Sequence, residues 1–395
     1  MKKVVLAYSG GLDTSVAIPW LSDQGWAVVA VAVDVGQPSD LERAVTRAGE
    51  LGAVEARRID ARNTFAQEFI LPALHMNALY QGRYPLVSAL SRPLIARLLA
   101  EVAEEVGATA VAHGCTGKGN DQVRFEVALA ALAPDIEVLA PVRDWGMSRA
   151  ESIAYAADRG LPIADTSPSP YSIDENLWGR SIECGALEDP WASPPEDAFK
   201  LTVPPGEVSG ERELEISFEA GVPVAVDGET MDPLHVIDAL TKLAGEFGFG
   251  RVDMVEDRLV GIKSREVYEA PAALTLINAH SELESLTLER NFLREKRRID
   301  ALWTQLVYEG MWFSPLHQAC NSFASVGRAA VTGDVRLMLR AGSCAITGRR
   351  SPHSLYDHGL ATYGQGDSFE HADAAGFIRL WGLSTRQWAR ADAGN

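Results

Sequence analysis

The chain has 395 residues, 47% of them hydrophobic and 23% charged, which is long enough for two cores because a single core stops growing at about 250–300 residues. With 36 Lys and Arg against 54 Asp and Glu, the formal charge is -18, a balance that repels a nucleic-acid backbone unless basic residues gather on one face. No run reaches the roughly 20 apolar residues that cross a bilayer. The longest basic cluster, Lys296-Arg297-Arg298, is flanked by Glu295 and Asp300 and reads as a solvated helix face. Cys115, Cys184, Cys320 and Cys344 form no C-x-x-C pair, which disfavours a zinc site and a disulfide framework. A cytoplasmic protein with small substrates, and with neither nucleic acid nor membrane as partner, is expected.

From Lys3 to about Thr166, short β-branched runs alternate with helical segments, the pattern of a parallel sheet with crossover helices. Strands are predicted at 4–8, 27–34, 54–59, 108–113 and 136–140, and helices near 14–24, 39–51, 64–79, 92–106, 122–132 and 148–159. Ligands bind such sheets at the carboxyl ends of the strands. The proline-rich stretch 162–205, which includes Pro168, lacks sustained periodicity and reads as a connection between domains, partly folded across the site. Beyond it, 211–219 alternates and pairs with 222–226 as a hairpin. Asp232-Pro233 supplies an N-cap and a first-turn proline for a helix carrying Val236, Ile237, Leu240 and Ala244 on one face. One long helix is expected over 281–307, and Val335, Leu337 and Leu339 open a hairpin that returns through Cys344 and Ile346. The last segment carries Phe377, Ile378, Leu380, Trp381 and Trp388, and needs either a neighbour or its own domain to pack on.

Two polar loops carry the chemistry. Ser9-Gly10-Gly11-Leu12-Asp13-Thr14-Ser15 leaves the first strand and opens a helix, so its backbone N–H groups form an anion site at a helix N-terminus. The glycines let the backbone approach phosphate, and Ser9, Thr14 and Ser15 add hydroxyl donors. The Gly-Lys-Ser/Thr ending of a Walker A loop is absent. Placed between strand and helix, the seven residues resemble the pyrophosphate loop of the N-type ATP pyrophosphatases, which implies ATP binding with release of pyrophosphate. Asp13 then either caps the helix or helps hold Mg2+ on the departing pyrophosphate. Val33, at the end of the second strand, lies where an adenine or ribose would sit. The second loop, 113–126, also runs from strand to helix, and its cations Lys118 and Arg124 are balanced by Asp121 and Glu126, which suits zwitterionic ligands.

These two loops, together with Tyr171-Ser172-Ile173-Asp174-Glu175-Asn176-Leu177-Trp178 and Val255-Glu256-Asp257-Arg258-Leu259-Val260-Gly261-Ile262-Lys263-Ser264-Arg265, resemble the argininosuccinate synthetase family in order and over nearly the whole chain. The resemblance implies an α/β nucleotide-binding domain with a parallel sheet (1–165), an α+β synthetase domain (166–365) and a C-terminal oligomerisation segment (366–395) of a homotetramer. It implies ATP contacts from Ala7, Tyr8, Ser9, Gly10, Gly11, Leu12, Asp13, Thr14, Ser15, Val33 and Gly114, and aspartate contacts from Thr116, Asn120 and Asp121. Citrulline contacts fall to Tyr84, Ser88, Asn120, Arg124, Ser172, Ser181, Glu256 and Tyr268, while Asp13 and Asp121 are the candidate catalytic residues. Ala89 stands where the family has a citrulline-contacting serine, so Ser88, a backbone group or water takes over that contact. The implied reaction joins citrulline to aspartate through citrullyl-AMP. Two alternatives remain: another adenylating enzyme with the same loop, whose paired cysteines, basic RNA face or glutaminase domain are missing here, or an inactive nucleotide-binding regulator.

Overall fold

The computed structural model describes residues 2–162 and 170–392. The expected boundary between 165 and 166, and Pro168, lie outside the described residues. The chain divides into two compact units, Met1–His353 and Ser354–Asn395.

In the larger unit, β1 (Lys2–Ala7), β2 (Trp26–Asp34), β3 (Glu55–Asp60), β4 (Ala110–Ala112) and β5 (Glu137–Leu139) form a parallel sheet of order β3-β2-β1-β4-β5. Val4, Val5 and Leu6 are fully buried on both faces of the central strand, as a sheet covered on both sides by crossover helices requires. The chain winds outward through β2 and β3, then returns across β1 to β4. The loops after β1 and β4 therefore meet at the topological switch point, where such sheets take their ligands. The strands fall within two residues of expectation at most ends. The helix expected from Arg92 begins earlier, at Val87, after Leu86 in a left-handed conformation at φ 62. The helix expected over 64–79 is broken into Arg62–Phe65, a π turn at Ala66–Ile70, and Leu71–His75.

The stretch expected as an irregular connection contains a hairpin, β6 (Ser172–Asn176) and β7 (Gly179–Glu183). Downstream come β8 (Arg212–Glu219), β9 (Val222–Val226), β10 (Glu229–Thr230), β11 (Arg251–Asp257), β12 (Lys263–Glu269), β13 (Gly333–Arg340) and β14 (Ser343–Arg350). They build two further sheets, of order β10-β9-β8-β13-β14 and β11-β12-β7-β6. The β6–β7 turn docks on the nucleotide-binding half: Trp178 Nε1 donates to the Pro85 carbonyl at 2.8 Å and Asn176 Nδ2 to that of Val87 at 2.8 Å. The segment between the 3-10 turns Glu196–Ala198 and Pro205–Glu207 is held by Glu269, fully buried, whose carboxylate accepts from the backbone N–H groups of Lys200, Leu201 and Thr202 and forms an ion pair with Arg180.

The single helix expected over 281–307 is two helices, Pro271–Thr287 and Arg290–Tyr308. The carboxylate of Glu289 accepts from the N–H groups of Asn291 and Phe292 and starts the second. The basic cluster is also not wholly a solvated face. Lys296 is 2% exposed, paired with Glu284 at 2.8 Å and Asp300 at 2.9 Å and donating to the His75 carbonyl, while Arg297 and Arg298 remain outside. Burial pushes the Asp300 carboxyl up to about 7 against the pull of Lys296.

The smaller unit contains short helices His358–Ala361, His371–Trp381 and Leu383–Asp392, with Phe377, Ile378, Leu380, Trp381 and Trp388 all more than half exposed. Among the described residues no helix is long and apolar enough to cross a membrane.

Candidate active site

The loop 9–15 is shaped by its own side chains. Gly10 has φ +77, and a β-carbon there would lie 3.0 Å from that of Ala44, so the turn tolerates only glycine comfortably. Ser9 Oγ accepts from the Gly11 N–H at 3.3 Å and meets Thr14 Oγ1 at 3.1 Å, while the Tyr8 hydroxyl meets Ser15 Oγ at 3.2 Å. Arg47, from the helix Leu41–Glu50, donates to the Gly10 carbonyl at 3.0 Å. The helix Leu12–Asp23 has no side-chain cap, so its first N–H groups point towards the mouth of the loop as anion donors. Gly114, after β4, faces this loop; a β-carbon there would lie 2.7 Å from Thr14 Cγ2. On the other flank, Val33 is the penultimate residue of β2, its carbonyl accepting from Gln37 Nε2 at 2.7 Å.

Next to this anion site is a network of buried ions and phenols. Asp121 accepts from Arg92 Nη2 at 2.7 Å and from Arg124 Nη1 at 2.7 Å, and the same Arg92 nitrogen reaches Asp174 on β6 at 2.7 Å. Burial alone would raise the Asp121 carboxyl, but the two guanidinium groups outweigh it and hold the group well below the usual carboxylate range. Asp121 is therefore a fixed anion rather than a proton acceptor. Arg124 Nε donates to the Tyr308 carbonyl at 2.9 Å, while its Nη2 is buried with no partner among the described residues. Glu256, 3% exposed, accepts from Tyr268 at 2.9 Å and from Tyr308 at 2.9 Å. Tyr84 stacks on Tyr268 with centroids 4.2 Å apart, and Tyr80 stacks on Tyr308 at 3.5 Å. Ser181 is opposite Tyr268 on one side and Asp174 on the other in the sheet register. A fixed anion, a guanidinium with an unused donor, and a carboxylate held by phenols together suit ligands bearing both ammonium and carboxylate groups.

The sequence matches the Arginosuccinate synthase N-terminal HUP domain over residues 3–162 and the Arginosuccinate synthase C-terminal domain over 171–388. It is 55% identical over 389 residues to an argininosuccinate synthase of Halalkalibacterium halodurans, covering 98% of this chain and 95% of that one. It is 56% identical over 386 residues to that of Bacillus pumilus, covering 98% and 96%. The chain belongs to the argininosuccinate synthase family. Similarity over 98% of the chain favours this ligase over another adenylating enzyme built on the same loop.

Of the residues that the argininosuccinate synthase pattern picks out, Tyr84, Asn120, Asp121, Arg124, Glu256 and Tyr268 lie in one hydrogen-bonded and stacked cluster. Asn120 takes part through both amide atoms, accepting from the Leu259 N–H at 2.9 Å and donating to the Tyr308 hydroxyl at 2.8 Å. Ser88 contributes its backbone N–H to the Tyr84 hydroxyl at 3.0 Å, and Ala89 beside it is buried. Thr116 and Ser172 are exposed at the rim. His113 is a structural residue. Its Nδ1 accepts from the Cys115 N–H and its Nε2 meets Glu126 at 3.3 Å, while burial lowers its pKa and keeps the ring neutral. Cys115 stays a thiol, pushed up to about 12 by burial. Sequence reasoning missed Arg92, Asp174 and Tyr308. Asp174 sat inside the motif 171–178 and Arg92 stood only as the start of an expected helix, whereas Tyr308 ends a helix in a segment with no motif.

Proposed function

We propose that this enzyme joins L-citrulline to L-aspartate at the expense of ATP, giving argininosuccinate, AMP and pyrophosphate. Membership of the argininosuccinate synthase family supports the reaction, and the observation that carries the site assignment is the buried, unpartnered Arg124 Nη2 beside Glu256 and its tyrosines. The ATP phosphates lie on the N–H groups of loop 9–15, with Ala7, Tyr8, Val33 and Gly114 around the nucleoside. Citrulline places its α-carboxylate on Arg124 and its ammonium towards Glu256, beside the stacked pair Tyr84 and Tyr268, with Ser88, Ser172, Ser181 and Asn120 completing the site. Its ureido oxygen attacks the α-phosphorus, and the bond to pyrophosphate breaks. Aspartate, held by Thr116, Asn120 and Asp121, brings its amine to the ureido carbon, and the bond from that carbon to AMP breaks.

Because Asp121 is pinned as an anion by two arginines, its role in this scheme is electrostatic, and rate comes from positioning and charge stabilisation rather than an enzyme nucleophile. A Mg2+ ion would be carried by the phosphate oxygens with Asp13 as its protein ligand. That ion would offset charge on the leaving pyrophosphate. The nucleotide-binding (1–165), synthetase (166–365) and oligomerisation (366–395) roles follow the same scheme. The exposed apolar side chains of the helix His371–Trp381 support a homotetramer, and the four free thiols suit the reducing cytoplasm.

The test is to incubate the protein with ATP, Mg2+, citrulline and aspartate and to follow all three products. Equal amounts of AMP, pyrophosphate and argininosuccinate are expected; AMP release independent of citrulline would overturn the assignment.

A further inference from the structure

Tyr308 ends the helix Arg290–Tyr308, far in sequence from every motif of the site, yet its hydroxyl joins two of the site's polar groups. It donates to Glu256 Oε1 at 2.9 Å and accepts from Asn120 Nδ2 at 2.8 Å. The direction of this chain is dictated by charge. An ionised carboxylate and a backbone carbonyl only accept, so the single phenolic proton is directed at Glu256 Oε1, the charged acceptor at 2.9 Å, with the Asp257 carbonyl at 3.0 Å beside it, and the phenol's lone pair is left to take the Asn120 N–H. The Asn120 carbonyl is thereby turned towards the Leu259 N–H, at 2.9 Å, on the turn between β11 and β12. The ring is held independently of the hydroxyl. It stacks on Tyr80 at 3.5 Å and 5°, and the Arg124 guanidinium lies over it at 4.9 Å. Gly310 brings the helix end close enough for this, since a β-carbon there, at φ +81, would lie 2.9 Å from the Arg124 α-carbon.

We infer that Tyr308 is a positioning residue for the amino-acid half of the site, relaying the orientation of the Glu256 carboxylate to the Asn120 carboxamide so that both face the substrates in one fixed arrangement. The inference rests on the citrulline and aspartate roles proposed above for Glu256 and Asn120. Deleting the hydroxyl removes a donor from a buried carboxylate and an acceptor from a buried amide, while the stack and the cation–π contact keep the ring in place.

Glu256 faces Tyr268 and Tyr308 as hydrogen-bond donors, Arg124 and Arg258 as cations, Glu266 as a like charge, and the rings of Tyr80 and Tyr84. Burial raises its carboxyl and the Tyr308 proton opposes that rise. Loss of the hydroxyl therefore moves the protonation of Glu256 to higher pH.

The experiment is steady-state kinetics of Tyr308→Phe with each substrate varied, as a function of pH, alongside Glu256→Gln and the double variant. The expected result is a KM for citrulline raised about tenfold, a KM for ATP within about twofold of the parent as the internal measure of folding, and an acid limb of kcat/KM for citrulline displaced to higher pH. In the Glu256→Gln background the same substitution should have a smaller effect, because the two act through one bond. An unchanged citrulline KM and acid limb would overturn the inference, as would a parallel loss for all three substrates. A parent enzyme without citrulline-dependent AMP release would instead sink the proposed function itself.

Discussion

The loop 9–15 and the pocket around Glu256 are built on opposite plans. The loop is one contiguous stretch whose donors are backbone N–H groups and short hydroxyls, held by a left-handed glycine, by hydroxyl contacts within a few residues and by one long-range bond from Arg47 to the Gly10 carbonyl. The pocket draws Tyr84, Asp121, Arg124, Asp174, Glu256, Tyr268 and Tyr308 from segments up to 224 residues apart in numbering (308 minus 84), and its geometry is carried by long side chains with buried charges. The phosphate site should therefore be sensitive to backbone shape and indifferent to most side-chain charge, and the amino-acid site the reverse.

The largest effect expected from that contrast is at Arg124. Arg124→Ala removes the unpartnered Nη2 and leaves Asp121 with Arg92 alone, so the KM for citrulline should rise about 100-fold with little change for ATP. Matching losses for ATP and citrulline in the kinetics would show that the two sites are not separable. Gly10→Ala is the converse. It places a side chain at φ +77 against Ala44, a strain that should raise the KM for ATP about tenfold and leave citrulline affinity, measured by product inhibition or direct titration, nearly unchanged.

The smallest effect is in pH. Burial raises the Glu256 carboxyl above its ordinary value, and the ionised form is the one that accepts from an ammonium. Thus kcat/KM for citrulline should fall on the acid side at a higher pH than an ordinary carboxylate would set, while the ATP profile stays flat. Glu256→Gln should abolish that fall, and a limb that persists in the variant would point to a different group. Asp121, held well below the usual range by its arginines, contributes no such limb.

Much of the loop's structure was legible beforehand because local rules govern it: two glycines and flanking hydroxyls between a strand and a helix favour a tight turn whose N–H groups can take an anion. The parallel strands were legible for a similar reason, since strands buried on both faces read as unbroken β-branched runs. Lys296 shows where such reading fails. Beside Arg297 and Arg298 it belongs to a charged patch, and only the arrival of Glu284 from another helix and the His75 carbonyl makes it a buried ion. The break at Leu288 and Glu289 was hidden too, because the apolar stripe continues through it and the cap is a carboxylate turned back on its own helix.

The amino-acid sequence by itself determined the α/β class, the turn of loop 9–15 and, through the family pattern, most residues of the proposed substrate sites. The tertiary structure alone decided that Asp121 is a clamped anion, that Arg124 keeps one donor unused, and that Tyr308 stands between Asn120 and Glu256. The physical reason is range: a backbone turn is set by dihedral preferences over a few residues, whereas a buried charge is defined by whichever distant side chains replace its water.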